Sequence, residues 1–159
     1  GAIDRTGHDS SGFTVILLGN PANATGTLDT IEVYAESNIT GFRAGTFYLV
    51  SESTYKCRDS TTIGSVIAGS KQQFTGLSID INENDYIGSY FSGGYIEAEA
   101  DSGGQKYVNG EYIDPDDHTP YPSTGYTDSI YGTGATAGGG SAAQVSQPMG
   151  AKMIAGKLI

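Results

Sequence analysis

Apolar residues recur along this chain in short runs, and in most runs they alternate with polar ones. Residues 28–36 set Ile31, Val33 and Ala35 on one face and Thr30, Glu32, Tyr34 and Glu36 on the other. A period of two is the signature of a half-buried β-strand. Residues 74–81 repeat it with Leu77, Ile79 and Ile81 facing one way, and residues 95–100 set Ile96, Ala98 and Ala100 against Tyr95, Glu97 and Glu99. Residues 13–18 form a continuous apolar run that stops at Gly19-Asn20-Pro21, a turn signal. Residues 42–50 are apolar on both faces, which predicts a central strand buried on two sides. Residues 55–58 are placed to pair with it across the polar turn at 51–54. Turns at 82–85 and at Gly93-Gly94 bracket a strand at 86–91. A polar loop spans 114–125, and a last strand at 129–131 stops at Gly132.

No 3.6-residue period is sustained before residue 149. Roughly eight short strands separated by turn signals predict an all-β fold, an antiparallel β-sandwich of jelly-roll-like type. Ile31, Val33, Phe47, Leu49, Leu77, Ile79 and Ile87 are its expected core. The pattern then changes. Residues 1–134 read as the sandwich domain and residues 135–148 as a Gly/Ala/Ser-rich linker. Residues 149–159 read as an apolar C-terminal assembly segment, in which Met149, Met153, Ile154, Leu158 and Ile159 surround Lys152 and Lys157. A linker before an apolar tip predicts an extended tail acting as a tether with an anchor.

Composition narrows the function. Among 159 residues there are 24 Gly and 11 Tyr, and only 16% are charged. That balance suits short strands and tight turns rather than helices. The formal net charge of −10 opposes direct nucleic-acid binding, which uses a basic patch. No run approaches the roughly 18 apolar residues of a membrane-spanning helix. Cys57 is alone, so no intrachain disulfide or zinc cluster forms, and a small buried hydrophobe is its expected role.

Five segments taken together carry a likeness. They are Ala2-Ile3-Asp4-Arg5, Gly19-Asn20-Pro21-Ala22-Asn23-Ala24-Thr25-Gly26, Ile31-Glu32-Val33-Tyr34, Asp85-Tyr86-Ile87-Gly88 and Ser129-Ile130-Tyr131-Gly132-Thr133-Gly134. Over roughly residues 2–134 the chain resembles uncharacterised β-sandwich modules of tailed-phage and environmental-virus structural proteins. The resemblance implies a virion or extracellular location and a structural or accessory role. It implies partnership with neighbouring copies, as a homo-oligomer, or with other virion proteins, and it transfers no catalytic residue.

Candidate chemistry is sparse. Residues 80–85, Asp-Ile-Asn-Glu-Asn-Asp, alternate oxygen ligands as calcium loops do. An EF-hand needs Gly at position six and an acid at position twelve, where this chain has Asp85 and Phe91. An acidic hairpin turn is the plainer reading, and Ca²⁺ is the only cofactor the residues leave open. Asp114, Asp116, Asp117 and His118 form the densest polar cluster and are weak candidates for holding a cation, against a solvated loop stiffened by Pro115 and Pro120. Glu97 and Glu99 share a strand face at a spacing glycoside hydrolysis would accept, yet alternate solvent-facing Glu is ordinary. Gly132-Thr133-Gly134-Ala135-Thr136-Ala137 matches a loose dinucleotide fingerprint, but Gly138-Gly139-Gly140 opposes the helix that fingerprint needs. Asn23 and Asn38 begin formal glycosylation sequons and read as turn residues. No nucleophile–base pair is evident, so no enzymatic activity is expected. Tyr95, Tyr107, Tyr112, Tyr121 and Tyr126 gather near the polar loops and suit surface contact. The leading expectation is a non-enzymatic assembly protein, such as a virion decoration, fibre or head/tail accessory subunit. The alternative is a glycan- or cell-surface-binding module.

Overall fold

The computed structural model describes residues 1–120, 122–138 and 142–146. Thirteen strands and no helix run through the described residues. In chain order they are β1 (Gly7–Ser10), β2 (Phe13–Leu17), β3 (Gly26–Val33), β4 (Ala35–Ser51), β5 (Thr54–Val66), β6 (Gln72–Phe74) and β7 (Ile79–Ile81). There follow β8 (Tyr86–Tyr90), β9 (Gly93–Asn109), β10 (His118–Pro120), β11 (Ser123–Asp128), β12 (Ile130–Thr136) and β13 (Ala142–Ser146). They form an antiparallel β-sandwich, as the alternation predicts. The larger sheet has eight strands in the order β1-β9-β2-β8-β4-β5-β10, with β11 also paired to β9. The smaller has five, in the order β13-β12-β3-β6, with β7 also paired to β3.

Two strands are far longer than the sequence predicts. β4 and β9 each run 17 residues. Gly41 inside β4 and Gly104 inside β9, with φ of 63° and 81°, bend these strands without ending them, while the expected corner at Gly93-Gly94 is where β9 begins. The early part of β4 pairs with β9, Ala35 with Ile96, while its later part pairs with β8, Thr46 with Ile87. The far part of β9 pairs with β2, which pairs in turn with β8. The large sheet therefore curls until β4, β9, β2 and β8 make a closed circuit. Register shifts along β4 supply the bends that the curl needs.

The main core lies between the sheets, where Leu28, Ile31, Val33, Phe42, Ile79, Ile87, Phe91 and Ile96 pack together. A bulge explains how both Leu28 and Ile31 face inward despite opposite parity. Thr133 pairs with Thr30 and Gly134 with Leu28, so Asp29 is extra, and its carbonyl accepts from Leu77 N at 3.0 Å. Gly134 permits this approach, because a Cβ there would lie 1.8 Å from the Thr27 carbonyl oxygen. A second cluster, Ile16, Phe47, Tyr55, Cys57 and Ile113, covers the other face of the large sheet. It bears out the expectation of a two-side-buried strand, since Phe42 and Phe47 of β4 fall in different clusters. It also buries Cys57, whose thiol burial pushes up to about 12.

Several expectations need correction. Of the expected core, Ile31, Val33, Phe47, Ile79 and Ile87 are buried and Leu77 is half-buried, but Leu49 is 48% exposed. Leu49 sits beside the β4–β5 hairpin tip, where Ser51 pairs with Thr54. Residues 74–81 split into β6 and β7, because the chain between them bonds to the Asp29 bulge. The polar loop at 114–125 contributes strand β10 to the sheet edge beside β5, and the first residues of β11. Most consequential, the segment read as a linker is partly sheet. β12 extends to Thr136, and β13 pairs with it from Ala142 to Ser146, burying Ala143 and Val145 in the main core. Asn23 fastens the outer side of β13: its Oδ1 accepts from Gln144 N at 2.9 Å, and its N–H donates to the Gln144 carbonyl at 3.3 Å. Asn38 accepts from Ala68 N, but it lies inside β4 and not in the turn expected of it, whereas Asn23 does lie in a loop. Met149, Met153, Ile154, Leu158 and Ile159 lie outside the described residues.

Candidate functional site

Strand parity gathers one set of side chains where β1, β2, β9 and β11 meet. Paired residues on neighbouring strands share a face, as do next-but-one residues on one strand. On β9 and β2, Val15 pairs with Tyr107 and Leu17 with Gln105, which puts Phe13, Tyr107 and Gln105 on one face. On β1 and β11, Asp9 pairs with Ile96 and Asp128 with Ala98, while Tyr126 pairs with Ala100. The bend of β9 brings these two groups together. Asp9, Ser10, Phe13, Tyr107 and Tyr126 line an open cleft of about 170 Å³. The Phe13 and Tyr107 rings meet steeply, at 66° with centroids 6.0 Å apart. Tyr126 is 43% exposed at the rim.

The floor is a carboxylate held by neutral donors. Asp9 Oδ1 accepts from Ser10 N at 2.8 Å, and Oδ2 accepts from Gln105 Nε2 at 2.8 Å. Gln105 is fully buried, and its Oε1 accepts from Asp128 N at 3.1 Å, so the amide is a fixed wedge. Among the described residues Asp9 makes no ion pair. Behind the wedge, Asp128 is fully buried beside the Gln105 and Asp9 side chains, and no donor among the described residues makes a well-aligned hydrogen bond to either carboxyl oxygen. Burial first, and the negative charge of Asp9 second, push the Asp128 carboxyl well above the usual carboxylate range, which favours its neutral form.

The carboxylates singled out in the sequence are otherwise engaged. Asp114 accepts from Arg43 at 2.7 Å, Asp116 pairs with Lys56 at 2.9 Å, and Asp117 accepts from Asp114 N at 3.2 Å. The side chain of His118 lies outside what the structure describes. In the 80–85 turn, Asp85 is buried and grips Arg58 with both oxygens while accepting from Asn82 N at 2.8 Å. That carboxylate closes the hairpin and is taken. A wider polar hollow of about 460 Å³ beside it, lined by Thr25, Arg58, Asp80, Asn82 and Thr136, has its guanidinium committed to Asp85. Glu97 and Glu99 both hold Arg5. Glu97 Oε2 accepts from Arg5 N at 2.8 Å, and Glu99 Oε2 from the guanidinium at 2.6 Å. Burial raises the Glu97 carboxyl, and the Arg5 N–H opposes that rise. The two acids clamp the N-terminal segment onto β9.

Of the five tyrosines, Tyr107 and Tyr126 come together in the cleft. Tyr95 stands apart, exposed and edge-on to His8 with centroids 4.8 Å apart. Tyr112 is half-buried away from the cleft, and Tyr121 lies outside the described residues. Asp9, Phe13, Gln105 and Asp128 escaped sequence reasoning, because only the pairing of β1, β2 and β11 on β9 makes them neighbours. No helix of the described residues is long and apolar enough to cross a membrane. No protein-family model matches this chain, and no curated protein or solved structure shows significant similarity to it.

Proposed function

We propose that this chain is a non-enzymatic structural module of a larger extracellular assembly, a virion being the setting its sequence resemblance implies. The observation that carries this reading is how firmly the last described strand is held. β13 is fixed by β12 on one side and by Asn23 on the other, up to Ser146. Beyond that point the sequence carries the apolar set Met149, Met153, Ile154, Leu158 and Ile159. Such residues are a liability in solution and an asset against a neighbour. Deleting residues 147–159 tests this. The truncated protein is expected to keep its fold and lose its oligomeric mass or its place in the assembly. Unchanged native mass and unchanged incorporation would refute it. A cut at residue 135 would not serve, because it also removes Ala143 and Val145 from the core.

A second reading, binding of a surface ligand, is favoured by one specific feature. The cleft joins three aromatic rings to a carboxylate on strands that fix its shape. Concave sites with a few convergent polar groups are where ligands bind.

A further inference from the structure

We propose that the cleft binds a methylated ammonium group, with Phe13, Tyr107 and Tyr126 as its walls and the Asp9 carboxylate as its counter-charge. This inference rests on the surface-binding reading and specifies its ligand.

Charge comes first. The lining holds a carboxylate and no cation. Both hydrogen bonds to Asp9 come from neutral donors, a backbone N–H and the Gln105 amide, so its charge is uncompensated among the described residues. The chain as a whole carries a formal net charge of −10. An anionic ligand would meet repulsion here, and a cation would meet none.

The kind of cation is set by the donors. Calcium takes six to eight oxygens, and magnesium a near-ideal octahedron. Here one carboxylate is accompanied by the Ser10 and tyrosine hydroxyls, and no group of three metal-binding side chains occurs among the described residues. The remaining lining is aromatic. A cation over an aromatic face is drawn to the ring's negative quadrupole, and quaternary ammonium groups are recognised in this way. The steep angle between Phe13 and Tyr107 makes a corner rather than a single flat platform. A corner touches a compact, rounded cation on two sides, whereas a sugar ring stacks on one flat face. The buried Gln105 fixes the Asp9 carboxylate from behind, which lowers the ordering cost of binding.

The test is titration of the full chain, by calorimetry and by chemical-shift changes of the tyrosine rings. The probes are choline, its neutral isostere 3,3-dimethylbutan-1-ol, and a methyl hexoside. Choline is expected to bind about tenfold tighter than the isostere. Tyr126→Ala, at the exposed rim, and Asp9→Asn, which keeps an acceptor for Gln105, should each weaken choline about tenfold while thermal unfolding shows both variants folded. Phosphocholine and trimethyllysine amide then report the source. Tighter phosphocholine points to a headgroup and tighter trimethyllysine to a peptide, and either supports the proposal. Equal binding of the isostere would overturn it, since charge would then play no part. Binding of the hexoside without choline would overturn it and leave the surface-binding reading standing. Binding of none of the probes would remove both.

Discussion

Asp114 and Asp116 lie in an exposed loop and each meets a cation, whereas Asp9 and Asp128 lie against the core and meet none among the described residues. The loop is the more conspicuous in sequence, with three acids within four residues. Its density is what makes it uninformative: exposed acids are well solvated, and nearby Arg43 and Lys56 reach them easily. The cleft acids are scattered along the chain, and Asp128 is costly where it sits, because burial without a partner penalises a carboxyl group. A fold keeps such groups where local consistency gives way to something else, commonly a site. Asp85 lies between the two cases, buried yet fully paired.

Asp85 gives the largest expected effect. Arg58 meets both its oxygens and also lies 4.5 Å from the Tyr48 ring centroid. Arg58→Ala would leave a carboxylate that is nearly inaccessible without its counter-charge. A loss of about 3 kcal/mol in urea unfolding is expected, since breaking a buried pair is far worse than lacking one. Pairing Arg58→Met with Asp85→Leu should recover part of this. It should not recover all, because Asp85 also accepts from Asn82 N in the turn. If Arg58→Ala costs no more than an ordinary surface change, pairing is not what makes buried acid tolerable here.

Asp128 should behave in the opposite sense. Asp128→Asn removes an acid whose charged form the fold disfavours, and at neutral pH it is expected to stabilise by about 1–2 kcal/mol. The sign comes from linkage. The folded-state value is raised, so above the usual carboxylate range the unfolded chain releases a proton that the folded chain retains. Wild-type stability relative to the variant therefore falls as pH rises from about 4 towards the raised value, and the gap closes below about pH 4, where both side chains are neutral. Asp9 and Arg5 act on Asp128 as well, so the comparison is made at fixed ionic strength. Unfolding series across pH measure it. A variant less stable than wild type at pH 7 would mean that the carboxyl is satisfied, and the contrast with the loop would fail.

Much of the sandwich was legible because alternation reports a sheet with one face buried, as in β3 with Ile31 and Val33. The illegible parts have a common cause. β13 was missed because Ala143 and Val145 fill a space set by glycines on β12, and small residues beside glycine look like linker. β4 and β9 were cut short because bends inside a strand and corners between strands use the same residues. In the cleft, Tyr107 and Tyr126 stood out as aromatic, while Asp9, Gln105 and Asp128 looked like ordinary polar positions. Their roles depend on pairings between distant parts of the chain, which local pattern does not encode.

The smallest effect is expected in the acidic loop, where it carries the most information about pairing. Asp114 is 65% exposed on its side chain and meets Arg43 at 2.7 Å, but Arg43 also pairs with Glu111 and donates to Ser60 at 3.2 Å. One guanidinium thus serves two carboxylates, and either alone leaves it paired. The Asp114 backbone N–H still donates to Asp117 whatever the side chain. Asp114→Asn is therefore expected to cost no more than about 0.5 kcal/mol, shrinking further in high salt. Glu111→Gln, at the other end of the same guanidinium, should be equally mild. The double variant should not be the sum of the two. It leaves Arg43, whose side chain is mostly buried, with no carboxylate and with neutral acceptors in place of charged ones, the two introduced amide oxygens and the Ser60 hydroxyl. The coupling measured by the double-mutant cycle should then reach about 0.5–1 kcal/mol. Strict additivity would show that neither carboxylate compensates Arg43. The loop acids would then be as unpaired in energy as Asp9 is in geometry, and the difference between the two regions would rest on burial alone.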